Sequence, residues 1–204
     1  YDYDVRVYVT DRTALVGLRL SDEPLHKRAR VRHGAASLNP TVAHAMCRLA
    51  RPASDQVFVD PMCGAGTILI ERARMSEAVL LIGGDLFAEP LEATRANLTA
   101  AAVEAELLQW DARRLPLAAA SVDAVVCNLP WGRRIGSHRV NQHLYPGFVR
   151  ELARVLVPGG RAVLLTQEKR LLSRLVEKSR RLELVRQYPL SLAGTHPVIY
   201  VLAR

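Results

Sequence analysis

The sequence predicts an α/β fold: a mostly parallel, seven-stranded sheet with helices on both faces and an antiparallel strand at one edge, behind a small β-hairpin. Three observations predict it. From Gln56 onward, short apolar runs alternate with longer amphipathic stretches. The runs are apolar throughout, as strands covered on both faces must be. The 204 residues, half of them hydrophobic, are also enough for one substantial core.

Residues 4–10 and 13–20 alternate in polarity and are split by Asp11-Arg12, the pattern of a hairpin. A polar, basic connector runs from Ser21 to Ser37. Pro40 suits a first helical turn, and Val42, Ala45, Met46 and Leu49 give helical spacing. Strands are expected at 56–60, 79–85, 105–110, 122–127 and 161–166. Helical patterns lie at 66–76, 88–102, 143–156 and 169–180. Two last strands, near 182–190 and 197–203, flank Ala193-Gly194-Thr195 and read as an antiparallel pair. Residues 1–36 therefore form a hairpin and connector, and 37–204 the main domain.

The net charge is +8 and the isoelectric point near 9.9, which favours a polyanionic partner, most plausibly nucleic acid. Basic residues bunch in HKRARVRH (26–33), with Lys27, Arg28 and Arg30, and again at Arg133-Arg134. The bunch KSRR (178–181) has the look of a solvated helix end. No run of eighteen apolar residues appears, and the first residues alternate and carry charge, unlike a secretory signal. Cys47, Cys63 and Cys127 match no zinc or disulfide spacing, which suits a reducing cytoplasm. The histidines make no ligand spacing, and no metal is expected.

In open α/β sheets, ligands bind outside the carboxyl ends of the strands. Those ends carry Asp60, Asp85, Asp111 and Asn128 in succession. Asp is a common turn former and helix cap, but four acidic or amide ends in a row exceed that background. The first turn reads DPMCGAGTILIE (60–71). Gly64 and Gly66 let the backbone approach a ligand, and Thr67 opens a helix whose amides favour an anion. Ile68 after Thr67 rules out a P-loop, and Leu69 stands where a dinucleotide fingerprint needs its third glycine. Asp85 is placed for ribose hydroxyls and Asp111 for an adenine amine. The ligand implied has a ribose and an adenine but needs no pyrophosphate.

These residues resemble the class I S-adenosylmethionine-dependent methyltransferases with their Rossmann-like fold. More narrowly, they resemble the RNA guanine-N(2)-methyltransferases that carry a THUMP domain. The resemblance covers nearly the whole chain and rests on LHKRARVRHGAASLNPTVA (25–43), DPMCGAGT (60–67), Asp85, Asp111 and NLPWG (128–132). It implies that S-adenosylmethionine is the cofactor. Asp60, Cys63, Gly64, Gly66 and Thr67 would surround its methionine part, Asp85 and Leu86 its ribose, and Asp111 and Ala112 its adenine. Ser37, Leu38, Pro40 and Thr41 would close over the methionyl end, and Asn128 would border it. The partner implied is RNA, and within RNA, tRNA. No THUMP domain precedes Tyr1 in these residues, so such a module lies upstream or RNA is reached another way.

An exocyclic amine is a poor nucleophile, because its lone pair is delocalised into the ring. Two fixed acceptors can take its hydrogens and turn the lone pair toward a methyl donor. Asn128 supplies one; the backbone carbonyl of Leu129 or Pro130 supplies the other, and the resemblance favours Pro130. Trp131 offers a stacking face worth on the order of 1–3 kcal/mol per base, and Arg133 and Arg134 follow it as phosphate contacts. Alignment can contribute roughly 7–11 kcal/mol, against about 10²–10⁴-fold for one acid–base group, so no strong base is demanded. Neither Ser37, Cys63 nor Cys127 sits in a nucleophile elbow. NLPW also resembles the Asn-Pro-Pro-Tyr class, which methylates adenine or a glutamine amide. A non-catalytic RNA-binding module that retains the fold is a further reading, but it should have lost the acids or the Asn-x-Pro-aromatic set, and this chain keeps both.

Overall fold

The computed structural model describes residues 3–19, 31–32, 38–75, 79–132, 136–192 and 194–204. The hairpin pairs β1 (Asp4–Val9) with β2 (Ala14–Arg19) as a separate antiparallel ribbon. Its alternation suggests one buried face, yet Val5, Val7, Leu15 and Val16 are all exposed.

The first helix, α1 (Pro40–Leu49), is capped by Asn39, whose side chain accepts from the Thr41 N–H at 2.8 Å. Its buried face is Ala43, Met46, Cys47 and Ala50. That is one residue round from the face the spacing suggested, and Ala45 is exposed. Beyond it come β3 (Gln56–Asp60), α2 (Thr67–Ala73), β4 (Val79–Asp85), α3 (Ala88–Ala100), β5 (Glu106–Gln109) and β6 (Val122–Asn128). The chain continues through α4 (His138–Val155), β7 (Leu156–Thr166), α5 (Lys169–Glu177), β8 (Glu183–Pro189) and β9 (Val198–Ala203).

Seven of these strands form one sheet in the order β5-β4-β3-β6-β7-β9-β8. Its first five strands are parallel, and β9 is antiparallel to both neighbours. The reversed strand thus lies one position in from the edge, and the edge strand β8 runs with the rest. Successive side chains of a strand point to opposite faces, so two cores form. Phe58, Leu81, Ala124, Val126 and Val163 pack with α1, α2 and α3. Val59, Ile82, Val125, Cys127, Ala162 and Leu164 pack with α4 and α5.

Two elements begin before their sequence signals. The first turn of α4 is polar, but the Ser137 hydroxyl caps it by accepting from the Val140 N–H at 3.2 Å. Strand β7 starts ahead of the Pro158-Gly159-Gly160 break because Leu156 already pairs with Val122, before an irregularity in the ladder.

From β3 the chain winds outward to β4 and β5, then crosses to β6 and β7 on the other side. The order reverses between β3 and β6, so the crevice lies between Asp60 and Asn128. An open α/β sheet binds its ligand at such a switch point.

Candidate active site

On the β3 side the site is built around the glycine turn. Gly66 has φ +77°, and a Cβ there would stand 2.9 Å from Thr94 Cγ2, so glycine is required twice over. The Asp85 carboxylate accepts from the Gly64 N–H at 3.1 Å through one oxygen and from the Phe87 N–H at 3.3 Å through the other. The Cys63 N–H donates to the Gly84 carbonyl at 2.9 Å. The turn and the β4 end therefore hold each other.

Two buried residues of α3 brace the turn from below. Thr94 donates its hydroxyl proton to the Gly64 carbonyl at 2.7 Å. Asn97 uses every hydrogen-bonding position of its amide: Nδ2 donates to the carbonyls of Ala65 and Arg32, and Oδ1 accepts from the N–H groups of Val31 and Arg32, all at 2.9 Å. One side chain thus ties the basic connector to the glycine turn. On β4, Trp110 lies so close over Gly84 that a Cβ would stand 2.0 Å from its ring, and its indole N–H donates to the Pro61 carbonyl at 2.9 Å.

Asp60 and Asp111 are shifted in opposite directions. Asp60 is buried, with the Met62 N–H, at 3.4 Å, its one hydrogen-bond donor among the described residues, and burial pushes its carboxyl well above the usual range. Asp111 is held the other way: the Arg113 guanidinium binds both its oxygens, at 2.6–3.0 Å, and keeps its carboxyl below the ordinary value. Burial raises the thiols of Cys63 and Cys127, which leaves them protonated and unsuited to nucleophilic work.

The β6 side is organised differently. Asn128 ends its strand with Oδ1 shielded from solvent and without a hydrogen-bond partner. Leu129 is buried, and its N–H donates to the Leu165 carbonyl at 3.0 Å. The Pro130 carbonyl, the second acceptor the resemblance favoured, is already engaged. It accepts from the Tyr145 hydroxyl at 2.8 Å and from Asn141 Nδ2 at 2.9 Å. Both its lone pairs are used, so that assignment is corrected in favour of the Leu129 carbonyl, to which no described residue donates.

The protons in this network have one consistent order. A carbonyl only accepts, so Tyr145 spends its single O–H on Pro130. Thr166 must then donate to the Tyr145 oxygen at 2.7 Å, while its own oxygen accepts from the Glu168 N–H at 2.9 Å. Burial raises the Tyr145 phenol, which keeps that proton in place. The chain of bonds runs one way, from the β7 end to the loop after β6.

Trp131 is partly buried against the α1–α3 core, with its indole nitrogen shielded and unpartnered. It is neither a fully buried plug nor a free platform. Leu38 is buried in the same core as Cys63, Pro40 opens α1, and Thr41 is exposed beside it. Leu86 is exposed just past Asp85, and Ala112 is buried beside Trp110 and Leu115. Ser37, Lys27, Arg28, Arg30, Arg133 and Arg134 lie outside the described residues. Thr94, Asn97, Asn141 and Tyr145 escaped sequence reasoning. The usable signal was a polar residue on an apolar helical stripe: Thr94 and Asn97 among Leu91 and Leu98, and Asn141 ahead of Tyr145, Phe148 and Leu152.

An open sheet with a glycine turn, three strand-end acids and an Asn-x-Pro-aromatic loop about its switch point defines a Rossmann-like methyltransferase domain. Residues 27–197 match the family described as RMKL-like, methyltransferase domain, and the chain belongs to it. The chain is 35% identical over its full length to tRNA (guanine(6)-N(2))-methyltransferase THUMP3 of Bos taurus, covering 43% of that protein. It is 34% identical over 81% of its length to the U6 snRNA (guanine-N(2))-methyltransferase THUMPD2 of Bos taurus, covering 32% of that one. It therefore spans less than half of either relative. The crystal structure of TrmN from Thermus thermophilus superposes with a TM-score of 0.84 at 32% identity, over 99% of this chain and 60% of that one.

Proposed function

We propose that this domain transfers a methyl group from S-adenosylmethionine to the exocyclic 2-amino group of a guanosine in RNA, with tRNA as the substrate class. The observation that carries the reading is the Asn128 carbonyl oxygen, shielded and without a described partner at the switch point, beside the Leu129 carbonyl, to which no described residue donates. An orphaned buried acceptor costs about 1–3 kcal/mol. A donor from a substrate offsets that cost, and an exocyclic amine brings two.

The residues fit the cofactor. Apart from its chain neighbours, no atom of the described residues lies within 4 Å of where a Gly64 Cβ would stand, so the turn faces open space there. Asp60, buried without a salt bridge to any described residue, suits the ammonium of a methionyl group. Asp85 is held in place for ribose hydroxyls, and Asp111, kept ionised by Arg113, suits an amine of adenine. Bound, the cofactor supplies a methyl group on a sulfonium that departs as a neutral thioether. Asn128 and Leu129 hold the amine by its two N–H groups and direct its lone pair into the crevice. Trp131 supports the base, and the displaced proton goes to water, since an amide and a peptide carbonyl are not bases. Residues 1–36 then serve as connector, and 37–204 as the catalytic domain.

Nucleoside mass spectrometry tests this. Incubation with S-adenosylmethionine and unmodified tRNA should yield N(2)-methylguanosine. A methylated adenosine as the sole product would overturn the choice of base.

A further inference from the structure

The described residues carry a second concavity, a cleft of about 580 Å³ between α4 and α5, lined by His138, Gln142, Gln167, Lys169, Arg170 and Arg174, among others. We infer that this cleft binds a backbone phosphate of the RNA next to the target nucleotide. The inference rests on the functional reading above and assigns it a second contact point.

Four features set the chemistry of the cleft. Lys169, Arg170 and Arg174 are exposed on α5 and form no salt bridge with any described residue. Glu168, the acid beside them, is already committed: its carboxylate contacts His138 Nδ1 at 2.8 Å and accepts from Asn141 Nδ2 at 3.3 Å. Helix α5 opens here with Glu168 as its N-cap and no side-chain cap bond, so its N-terminal turn lacks that partner. Gln167 Nε2 is shielded and unpartnered, a donor awaiting an acceptor. Cations, a helix N-terminus without a side-chain cap and an orphan donor share one complement, an anion rich in acceptor oxygens.

Position makes that anion a phosphate of the substrate. Asn141 donates both to the Pro130 carbonyl and to Glu168, so one side chain joins the wall of the cleft to the loop presenting Asn128. The cleft lies beyond the β7 end, on the opposite side of Asn128 from the glycine turn. A nucleotide seated on Asn128 has its own strand as the nearest source of phosphate on that side. The basic cluster Lys178, Arg180 and Arg181 lies past the other end of α5 and supplies a matched control.

The test is the salt dependence of binding to an unmodified tRNA transcript. Each phosphate contact contributes roughly 0.7–0.9 to the slope of log K against log salt. The K169Q/R170Q/R174Q variant should flatten that slope by about 0.7–0.9, the share of one phosphate, leaving S-adenosylhomocysteine affinity at the wild-type value. The K178Q/R180Q/R181Q variant should leave the slope as it was. An unchanged slope in the first variant, or an equal flattening in both, overturns the cleft as a phosphate site while wild-type methylation leaves the functional reading standing. Failure of the wild type to bind or methylate tRNA removes that reading and the cleft with it.

Discussion

The two halves of the crevice are built on opposite principles. On the β3–β5 side, most polar groups are satisfied by the protein itself, Asp60 being the exception: Asp85 by Gly64 and Phe87, Asp111 by Arg113, the glycine turn by Thr94 and Asn97. On the β6–β7 side, four shielded atoms have no partner among the described residues: Asn128 Oδ1, Trp131 Nε1, Asn141 Oδ1 and Gln167 Nε2. The difference teaches how a transferase divides its work. On the proposed function, the half assigned to the cofactor is preorganised by bonds within the fold, and the half assigned to RNA is left for the substrate to complete. Pro130 marks the border, since two buried donors fix its carbonyl while its neighbours on either side are left open.

The sharpest break in this comparison is Asn128→Ala. Removing a preorganised group at a reacting centre costs about 10²–10³-fold in rate, and single-turnover transfer should fall by that much with the dissociation constant for S-adenosylhomocysteine unchanged. Asp85→Ala should do the reverse. It removes charge-assisted hydrogen bonds worth about 1.5–3 kcal/mol, so calorimetry should find the cofactor about 10- to 150-fold weaker. Trp131→Ala should raise the KM for RNA by about 1–3 kcal/mol in equivalent free energy, and Trp131→Phe should recover much of it.

Asn97→Ala probes the bracing rather than the chemistry. Stranding buried backbone groups of the glycine turn and connector costs about 1–3 kcal/mol, which thermal unfolding should register at roughly 2–4 °C per kcal/mol. A loss confined to cofactor affinity would mean the connector is not held there in solution. The smallest effect is a matter of pH. Burial raises the Asp60 carboxyl, and an ammonium beside it would lower it again, so below the raised value binding displaces a proton. Cofactor binding should therefore release a proton and tighten as pH rises toward the raised value. Calorimetry in buffers of different ionisation enthalpy reads the proton directly, and a buffer-independent heat would contradict it.

How much of this was legible in the sequence follows from where the information sits. Asp60, Asp85 and Asn128 could be placed because each closes an apolar run, and strand period fixes where such a run ends. Thr94, Asn97, Asn141 and Tyr145 were hidden because their roles depend on partners 11 to 66 residues away. Their own neighbourhoods look like ordinary helix. Pro130 was misjudged for the same reason. A proline in the motif was visible, but the two donors filling its carbonyl come from α4, whose first turn carries no apolar stripe. The α1 face was off by one because alanine and valine signal burial weakly, and packing against α2 chose Ala43 over Ala45.

The central claim is that the open half of the crevice is completed by a guanine 2-amino group. Its most direct test compares two transcripts of one tRNA sequence, one with guanosine and one with inosine in its place. Inosine keeps the backbone and the other bases but lacks the 2-amino group. The account predicts methyl transfer to the first and none to the second, with cofactor binding equal in both assays. Equal transfer to the inosine transcript would contradict it.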